Sequence, residues 1–479
     1  MAVVCGAPFL ASLDLFVVNV AFPDIGVSLP TASLADLSWV LNAYAIVYAA
    51  LLVPMGRWAD RIGHKRVFVI GLITFTLASA AAATSTSLWW LVGLRVVQAL
   101  GASAVIPSSL GLLLHAVAPE KRVIAVKLWG AVSAIAAAAG PVVGGLLVEL
   151  SWRWVFLINV PLGVLLVWAA LRVLDGYRAE DADPDLDLSG AVLLALGVGA
   201  VTLGLVQGPR WGWGSLAGIV TVAVAVVCLG GFGINNGLKS RPLLPPAMLR
   251  IRSFAWSNLT MVAFGATFGA GLLILVLWLQ DVWGYSAIQA GLAIAPGPLV
   301  VPFAAVAAQQ LTERVAPGWL AALGCLLYGV GNVLILVSVD PQAQNYAAAV
   351  LPGWMIAGLG VGLALPIILS SATAELPETQ SATGSAVVNM ARQLGIALGI
   401  AVLVALLGDT SGVSAVGGFT AGWWTIVAIA ALAAVTSPAM SPRQSEQATI
   451  AKGAAFSGPP RADGVSRRQK ESREHRPVE

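Results

Sequence analysis

The sequence predicts an all-α integral membrane protein with fourteen transmembrane helices. Three observations predict it. Only 10% of the 479 residues are Asp, Glu, Lys or Arg, against about 25% in a soluble domain. Apolar residues make up 58% of the chain, and the mean hydropathy is +0.87. Uncharged runs long enough to span a bilayer recur at 128–148, 189–209, 211–238, 253–280, 282–312, 315–339, 341–374 and 410–442. These runs do not alternate as barrel strands would. A helix satisfies its own backbone polar groups in lipid, so the runs are helical. This composition excludes a soluble enzyme, a disordered chain and a nucleic-acid binder.

With Gly, Pro and Asn clusters breaking the longest runs, the helices fall at 3–25, 37–57, 67–87, 89–113, 123–148, 155–174, 189–207, 215–235, 255–279, 288–309, 317–338, 347–372, 384–407 and 419–439. Helix 1 has no basic residue before it and carries Asp14 and Asn19. It therefore reads as a retained helix rather than a cleaved leader. Asp14 lies near mid-bilayer, where a carboxylate is expensive to keep charged, as a proton or organic-cation site requires. Between helices 2 and 3 lies Gly56-Arg57-Trp58-Ala59-Asp60-Arg61-Ile62-Gly63-His64-Lys65-Arg66. Its two glycines permit a tight turn. Asp60 offsets its basic neighbours and suits a helix N-terminus elsewhere in the bundle. Gly56, Asp60, Arg61, Gly63, Lys65 and Arg66 are thus expected to form a conformational latch.

Helix 4 places Arg95 and Gln98 on one face, three residues apart. An arginine inside a span costs several kcal/mol unless paired or hydrated, so it marks a functional site by default. Helix 5 carries Gly130, then Gly140-Pro141-Val142-Val143-Gly144-Gly145. The Gly140/Gly144 spacing admits a neighbouring helix, and Pro141 bends its own. Helix 6 follows Trp152-Arg153-Trp154. Helices 7 and 8 are flanked by the acidic segment Glu180-Asp181-Ala182-Asp183-Pro184-Asp185 and by residues 242–252. Between helices 10 and 11, Glu313-Arg314 sits where a second copy of the Asp60-Arg61 turn would fall, without its glycines. Helix 13 contains Asn389-Met390-Ala391-Arg392-Gln393-Leu394-Gly395.

Orientation follows from the 26 Lys and Arg. With the N-terminus inside, fourteen fall in inside loops, among them Lys127, Arg178 and Arg241, and eight in the tail after residue 440. Arg153 and Arg210 fall outside; Arg95 and Arg392 lie within spans. This bias places both termini in the cytoplasm. Trp39, Trp89, Trp90, Trp152, Trp154, Trp211, Trp213, Trp278 and Trp283 then lie near the outer face, as an aromatic belt would. The 39-residue tail, 441–479, carries the chain's whole net charge of +3, so the rest is neutral and calls for no acidic partner. Its composition predicts disorder. Cys5, Cys228 and Cys325 have no metal or disulfide spacing. His64, His115 and His475 form no catalytic constellation, so no enzyme is expected.

The Gly56–Arg66 segment resembles the signature loop of the major facilitator superfamily, with His64 where a basic residue is usual. Arg95-Val96-Val97-Gln98-Ala99 is similar to the family's Arg-x-x-Gln-Gly motif, with Ala99 replacing glycine. Gly140–Gly145 resembles its antiporter motif. Leu13-Asp14-Leu15-Phe16-Val17-Val18-Asn19-Val20-Ala21-Phe22-Pro23 resembles a pattern of the fourteen-helix drug:proton antiporter branch (EmrB/QacA-like), with Phe16 in place of Thr. The likeness runs over roughly residues 5–440 and includes the starts of helices 6 and 13.

The resemblance implies a major facilitator fold. Residues 1–174 form one six-helix half and 253–440 the other; 175–252 insert a helix pair, and 441–479 are a tail. It further implies proton-coupled export of small organic compounds by alternating access, from a bacterial inner membrane. Asp14, Arg95, Gln98 and Asn19 would serve the proton and substrate. The proton is the coupling ion, with no other cofactor; the partners are the bilayer, protons and the compound, and the chain works as a monomer. The second half shows no mid-membrane acid, since Asp281 and Glu375 lie at span ends; this favours neutral, monocationic or anionic substrates. The alternative is a dedicated exporter of an endogenous metabolite, lipid or siderophore. An excess of 20 Arg over 6 Lys points to a high-GC bacterium, where such export is common. A non-transporting receptor ranks third.

Overall fold

The computed structural model describes residues 2–29, 33–118, 121–176, 187–240, 242–408 and 416–441. Fourteen helical spans fill it: α1 Ala2–Ser28, α2 Leu34–Ile62, α3 His64–Ala83, α4 Leu88–Ala116, α5 Ile124–Leu150, α6 Trp154–Val173, α7 Leu188–Trp211, α8 Leu216–Leu238, α9 Arg252–Val282, α10 Ala287–Leu311, α11 Pro317–Ser338, α12 Tyr346–Thr373, α13 Thr383–Leu407 and α14 Val416–Met440. No strand occurs among the described residues. The chain is a multi-pass membrane protein. The acidic segment 180–185, Arg178, Arg241, the side chain of Lys127 and the tail from 442 lie outside the described residues.

Local chemistry sets the ends of the spans. Gly63 adopts φ 106° and lets α3 start at His64, three residues before the predicted start. Ser87 caps α4 by accepting from Trp90 N, and Ser286 with Gln289 forms a reciprocal capping box on α10. Within the spans, most neutral polar side chains bond to their own helix. Thr76 Oγ1 donates to Leu72 O at 2.6 Å and Asn332 Nδ2 to Tyr328 O at 2.9 Å. This hides a donor that lipid could not satisfy.

The helices pack in a repeating scheme. In the first six spans α1 packs on α5, α4 on both α2 and α3, and α3 on α6. Adding eight to each number gives α9 on α13, α12 on α10 and α11, and α11 on α14, all observed. The seam obeys the same rule: α2 packs on α13 and α5 on α10. The pair α7 and α8 has no counterpart, and α7 lies against α2 and α13 at one side of the seam.

Two ends of the bundle can be distinguished, the basic face carrying Gly56–Arg66 and the far face opposite. Trp278 sits at the far end of α9, 5.0 Å from Trp423 and 5.2 Å from Phe419 between ring centroids. It is 1% exposed, and Trp152 and Trp283 are 2% exposed. These three are core residues, not the interfacial belt that their positions suggest. Their rings pack against other rings, and Trp283 Nε1 also donates to Asp340 O at 2.9 Å. Trp89, Trp90, Trp154, Trp211 and Trp213 are exposed, as a belt requires.

Candidate functional site

Buried polar side chains of the first half converge on one point. Asp14 on α1 and Arg95 and Gln98 on α4 are all fully buried. Arg95 Nη1 donates to Asp14 Oδ2 at 2.6 Å and to Gln98 Oε1 at 2.7 Å. Gln98 Nε2 donates to Asp14 Oδ1 and to Ser79 Oγ, both at 2.8 Å. Asn159 on α6 donates from Nδ2 to Asp14 Oδ1 at 2.8 Å. Arg95 Nε reaches Val40 O at 3.1 Å, and its guanidinium lies 4.1 Å over the Tyr44 ring. Five helices thus contribute to one network, and three of them, α1, α4 and α6, meet at the carboxylate. A buried ion pair recovers its desolvation cost only when hydrogen bonds fill the remaining valences. Here Asp14 receives three donors and gives none. Two atoms stay unfilled: Arg95 Nη2 and Asn159 Oδ1 are buried without a hydrogen-bond partner.

Asn19 does not join this network. Its Nδ2 donates to Leu15 O at 2.8 Å, one turn back in α1. Ser79, Tyr44 and Asn159 belong to the site although the sequence reading passed over them as site residues.

A cavity of about 760 Å³ lies between the two sets of six helices. That volume suits a drug-sized compound. Aromatic side chains from both sides line it, including Phe16, Tyr44, Tyr48, Phe264, Phe268 and Trp354. Phe16, which replaces threonine in the resemblance, meets Phe268 edge-on at 6.2 Å. Asp14 is not in the wall, but Tyr44 is, so the ring under Arg95 connects network and cavity. The wall continues to Arg57, Asp60, His64, His115 and Arg122 at the basic face.

The predicted latch residues separate into different roles. Asp60 Oδ1 lies 3.0 Å from His64 Nε2, one turn on, and faces the cavity rather than a helix of the second half. Arg57 Nη2 donates to Pro242 O at 2.8 Å. Lys65 Nζ donates to Leu171 O and Leu174 O at the end of α6, where a cation complements the helix dipole. Arg61 and Arg66 lie on either side of the Gly63 turn. Gly56 faces Pro107 at ordinary contact distance.

The far face is closed by α5. A methyl on Gly140 would stand 2.5 Å from Phe16 Cβ, and one on Gly144 3.0 Å from Val17 Cα. Gly145 meets α10 instead: a methyl there would stand 2.6 Å from Ala287 O. Gly291 on α10 returns the contact, since a side chain on it would collide with Pro141 O. The two backbones touch because each helix puts a glycine against the other's backbone. Gln280 Nε2 adds a bond to Val20 O at 3.0 Å. Gly130 meets nothing within 4 Å and lines the cavity.

A sequence profile described as Major Facilitator Superfamily matches residues 4–400. The chain belongs to the major facilitator superfamily. It is a transporter, not an enzyme. It is 34% identical over 419 residues to the tetracenomycin C resistance and export protein of Streptomyces glaucescens, covering 86% of this chain and 76% of that one. It is 34% identical over 422 residues to the cephamycin export protein CmcT of Amycolatopsis lactamdurans, covering 86% and 85%. Escherichia coli EmrY, a probable multidrug resistance protein, is 30% identical over 404 residues, covering 84% and 78%. These relatives agree with the fourteen-helix drug:proton antiporter branch. Among solved structures, the peptide transporter POT with sulfate superposes with TM-score 0.66 at 16% identity, covering 92% of this chain and 94% of that one. A bacterial homologue of the lysosomal transporter Spinster gives 0.64 at 16% identity, covering 92% and 95%. These likenesses establish the fold.

Proposed function

We propose that the protein is a proton-coupled antiporter that exports a small organic compound of the antibiotic class from a bacterial cytoplasm, with both termini inside. The observation that carries this reading is the Asp14 network. All three of its partners are donors, so a proton arriving on Asp14 removes the charge that they stabilise and weakens their hold on it. Arg95 is the partner best placed to pass that change on, because it also contacts Val40 O and the Tyr44 ring. Tyr44 faces the cavity, and α2 lies on the seam against α13. Protonation and cavity shape are thereby linked through residues in contact, as alternating access requires.

The cavity wall reaches the basic face, and the α5–α10 contact closes the other. This is the arrangement of a carrier awaiting cargo from the cytoplasm. Residues 1–174 and 253–440 act as the two rocking halves, and 175–252 as an added pair. Asp60 and its turn would close the basic face in the opposite state.

Export of a single endogenous antibiotic is the second reading, favoured because two of the relatives are named for one compound each. The test is proteoliposome flux with an imposed pH gradient over a panel of antibiotics and dyes. Gradient-driven uptake of several unrelated compounds supports multidrug export; uptake of one compound supports dedicated export. Absence of gradient-driven flux for all of them contradicts antiport.

A further inference from the structure

Arg392 on α13 is the second arginine within a span, half-buried where Arg95 is fully buried, and its surroundings are the reverse of those of Arg95. It lines the central cavity. No hydrogen bond or ion pair to it occurs among the described residues, and its Nε is buried without a partner. The neighbouring Gln393 also lines the cavity, with Oε1 buried and unpartnered. Asn389, one turn earlier, is in the same wall, with Nδ2 held by Ser385 O at 2.9 Å. The backbone here is fixed: a methyl on Gly265 of α9 would stand 2.5 Å from Arg392 O, so the two helices touch at this residue.

Among the described residues no carboxylate answers this guanidinium. Asp281 lies at the far end of α9, and Glu375 at the basic end of α12 accepts from Ser253 Oγ at 2.5 Å. Among the described residues of the cavity wall the one acid, Asp60, is already paired with His64. Against it stand Arg57, Arg122 and Arg392 in the same wall. A cavity lined by one sign of charge concentrates ligands of the other sign. An unpaired guanidinium within a span is costly, and a planar anion filling its fork recovers that cost. Tyr48, Phe264 and Phe268 nearby supply ring faces for an aromatic body.

We propose that Arg392 is the subsite for the negatively charged group of an aromatic organic anion, a carboxylate or phenolate. The assignment rests on the export reading for why the cavity receives an organic compound. Its test is binding, which needs no coupling. The full chain, purified in detergent, is titrated by fluorescence anisotropy with fluorescein and with rhodamine 123, an anion and a cation on one xanthene frame.

The wild type binds fluorescein in preference to rhodamine 123. Arg392→Gln weakens fluorescein by about ten-fold or more, the share of a charge-assisted hydrogen bond, and leaves rhodamine 123 unchanged or tighter. Arg392→Lys, which keeps the charge, retains most of the fluorescein affinity. Equal binding of both dyes by the wild type, no binding of fluorescein, or an unchanged fluorescein affinity in Arg392→Gln overturns the subsite. The wild-type comparison decides alone should Arg392→Gln not fold. Intact fluorescein binding without gradient-driven flux overturns the export reading instead and leaves the subsite standing.

Discussion

The two six-helix sets pack by the same scheme yet treat buried charge in opposite ways. In the first, α1, α2, α3, α4 and α6 enclose Asp14 and Arg95 with every oxygen of Asp14 occupied. In the second, α13 offers Arg392 to the cavity, and no acid among the described residues meets it. Helix packing therefore does not dictate the chemistry. Glycine pairs set the scaffold in both, with Gly140 and Gly144 between α1 and α5, and Gly265 between α9 and α13. The polar side chains then divide the work. A closed network can hold or release a proton without admitting cargo, and an open cation can hold cargo without an internal partner competing for it.

The comparison breaks most severely at Arg95. Arg95→Leu leaves Asp14 charged, buried and short of its strongest donor, an expected loss of about 3–5 kcal/mol of stability. The drop in Tm of the purified protein measures it. Adding Asp14→Asn removes the uncompensated charge, so the double variant regains most of that Tm. An additive double variant would mean that the two do not form one unit.

Next in size is the contact between sets at the far face. Gly291→Leu inserts a side chain against Pro141 O, where overpacking costs about 1–3 kcal/mol. The closed state loses that much, so transport falls roughly ten-fold while dye binding persists. Unchanged transport would show that the α5–α10 contact does not gate the far face.

Asp60→Asn is milder in this state, because among the described residues Asp60 pairs with His64 on its own side of the cavity. Turnover falls more than substrate affinity does, since the contact it would make belongs to the other state. Equal effects on both would remove Asp60 as a latch.

The smallest effect lies outside both sets, at Asp187 before α7. Burial alone would raise its pKa. Bonds from Lys239 Nζ, Asn235 Nδ2, Gly190 N and Leu243 N outweigh burial and hold the carboxyl well below the usual range. A carboxyl lowered in the folded state stabilises above its unfolded pKa and loses that stabilisation as pH falls toward its folded one. Amide exchange near Leu243 should therefore quicken when pH drops below the ordinary carboxylate range. In Asp187→Ala it should already be fast at neutral pH. Exchange that is insensitive to both changes would remove Asp187 as the anchor of this turn.

Much of this was legible in the sequence. A charge in an apolar run cannot be ignored energetically, so Asp14, Arg95 and Gln98 stood out before their geometry was known. Neutral polar residues carry no such signal. Ser79 and Asn159 look like Thr76 and Asn332, which bond only their own helices. Asn19 looked like a member of the network because it shares α1 with Asp14, yet its amide turns back to Leu15 O. What separates Asn159 from Asn19 is which helix lies opposite, a tertiary fact. Gly291 was hidden for the same reason, since small residues fill its whole segment. Trp278 was misread because position along a span gives depth in the membrane and not the direction a side chain faces.

The central claim is that Asp14 is the proton-binding group of an exporter. Asp14→Asn keeps the shape and an oxygen for Gln98 and Asn159 but cannot exchange a proton. Wild type and variant are reconstituted side by side, a pH gradient is imposed, and substrate accumulation and proton movement are followed together. The wild type is expected to couple the two. The variant should still bind the compound and still reside in the membrane, with neither accumulation nor substrate-dependent proton flux. Gradient-driven accumulation by Asp14→Asn at the wild-type rate would contradict it.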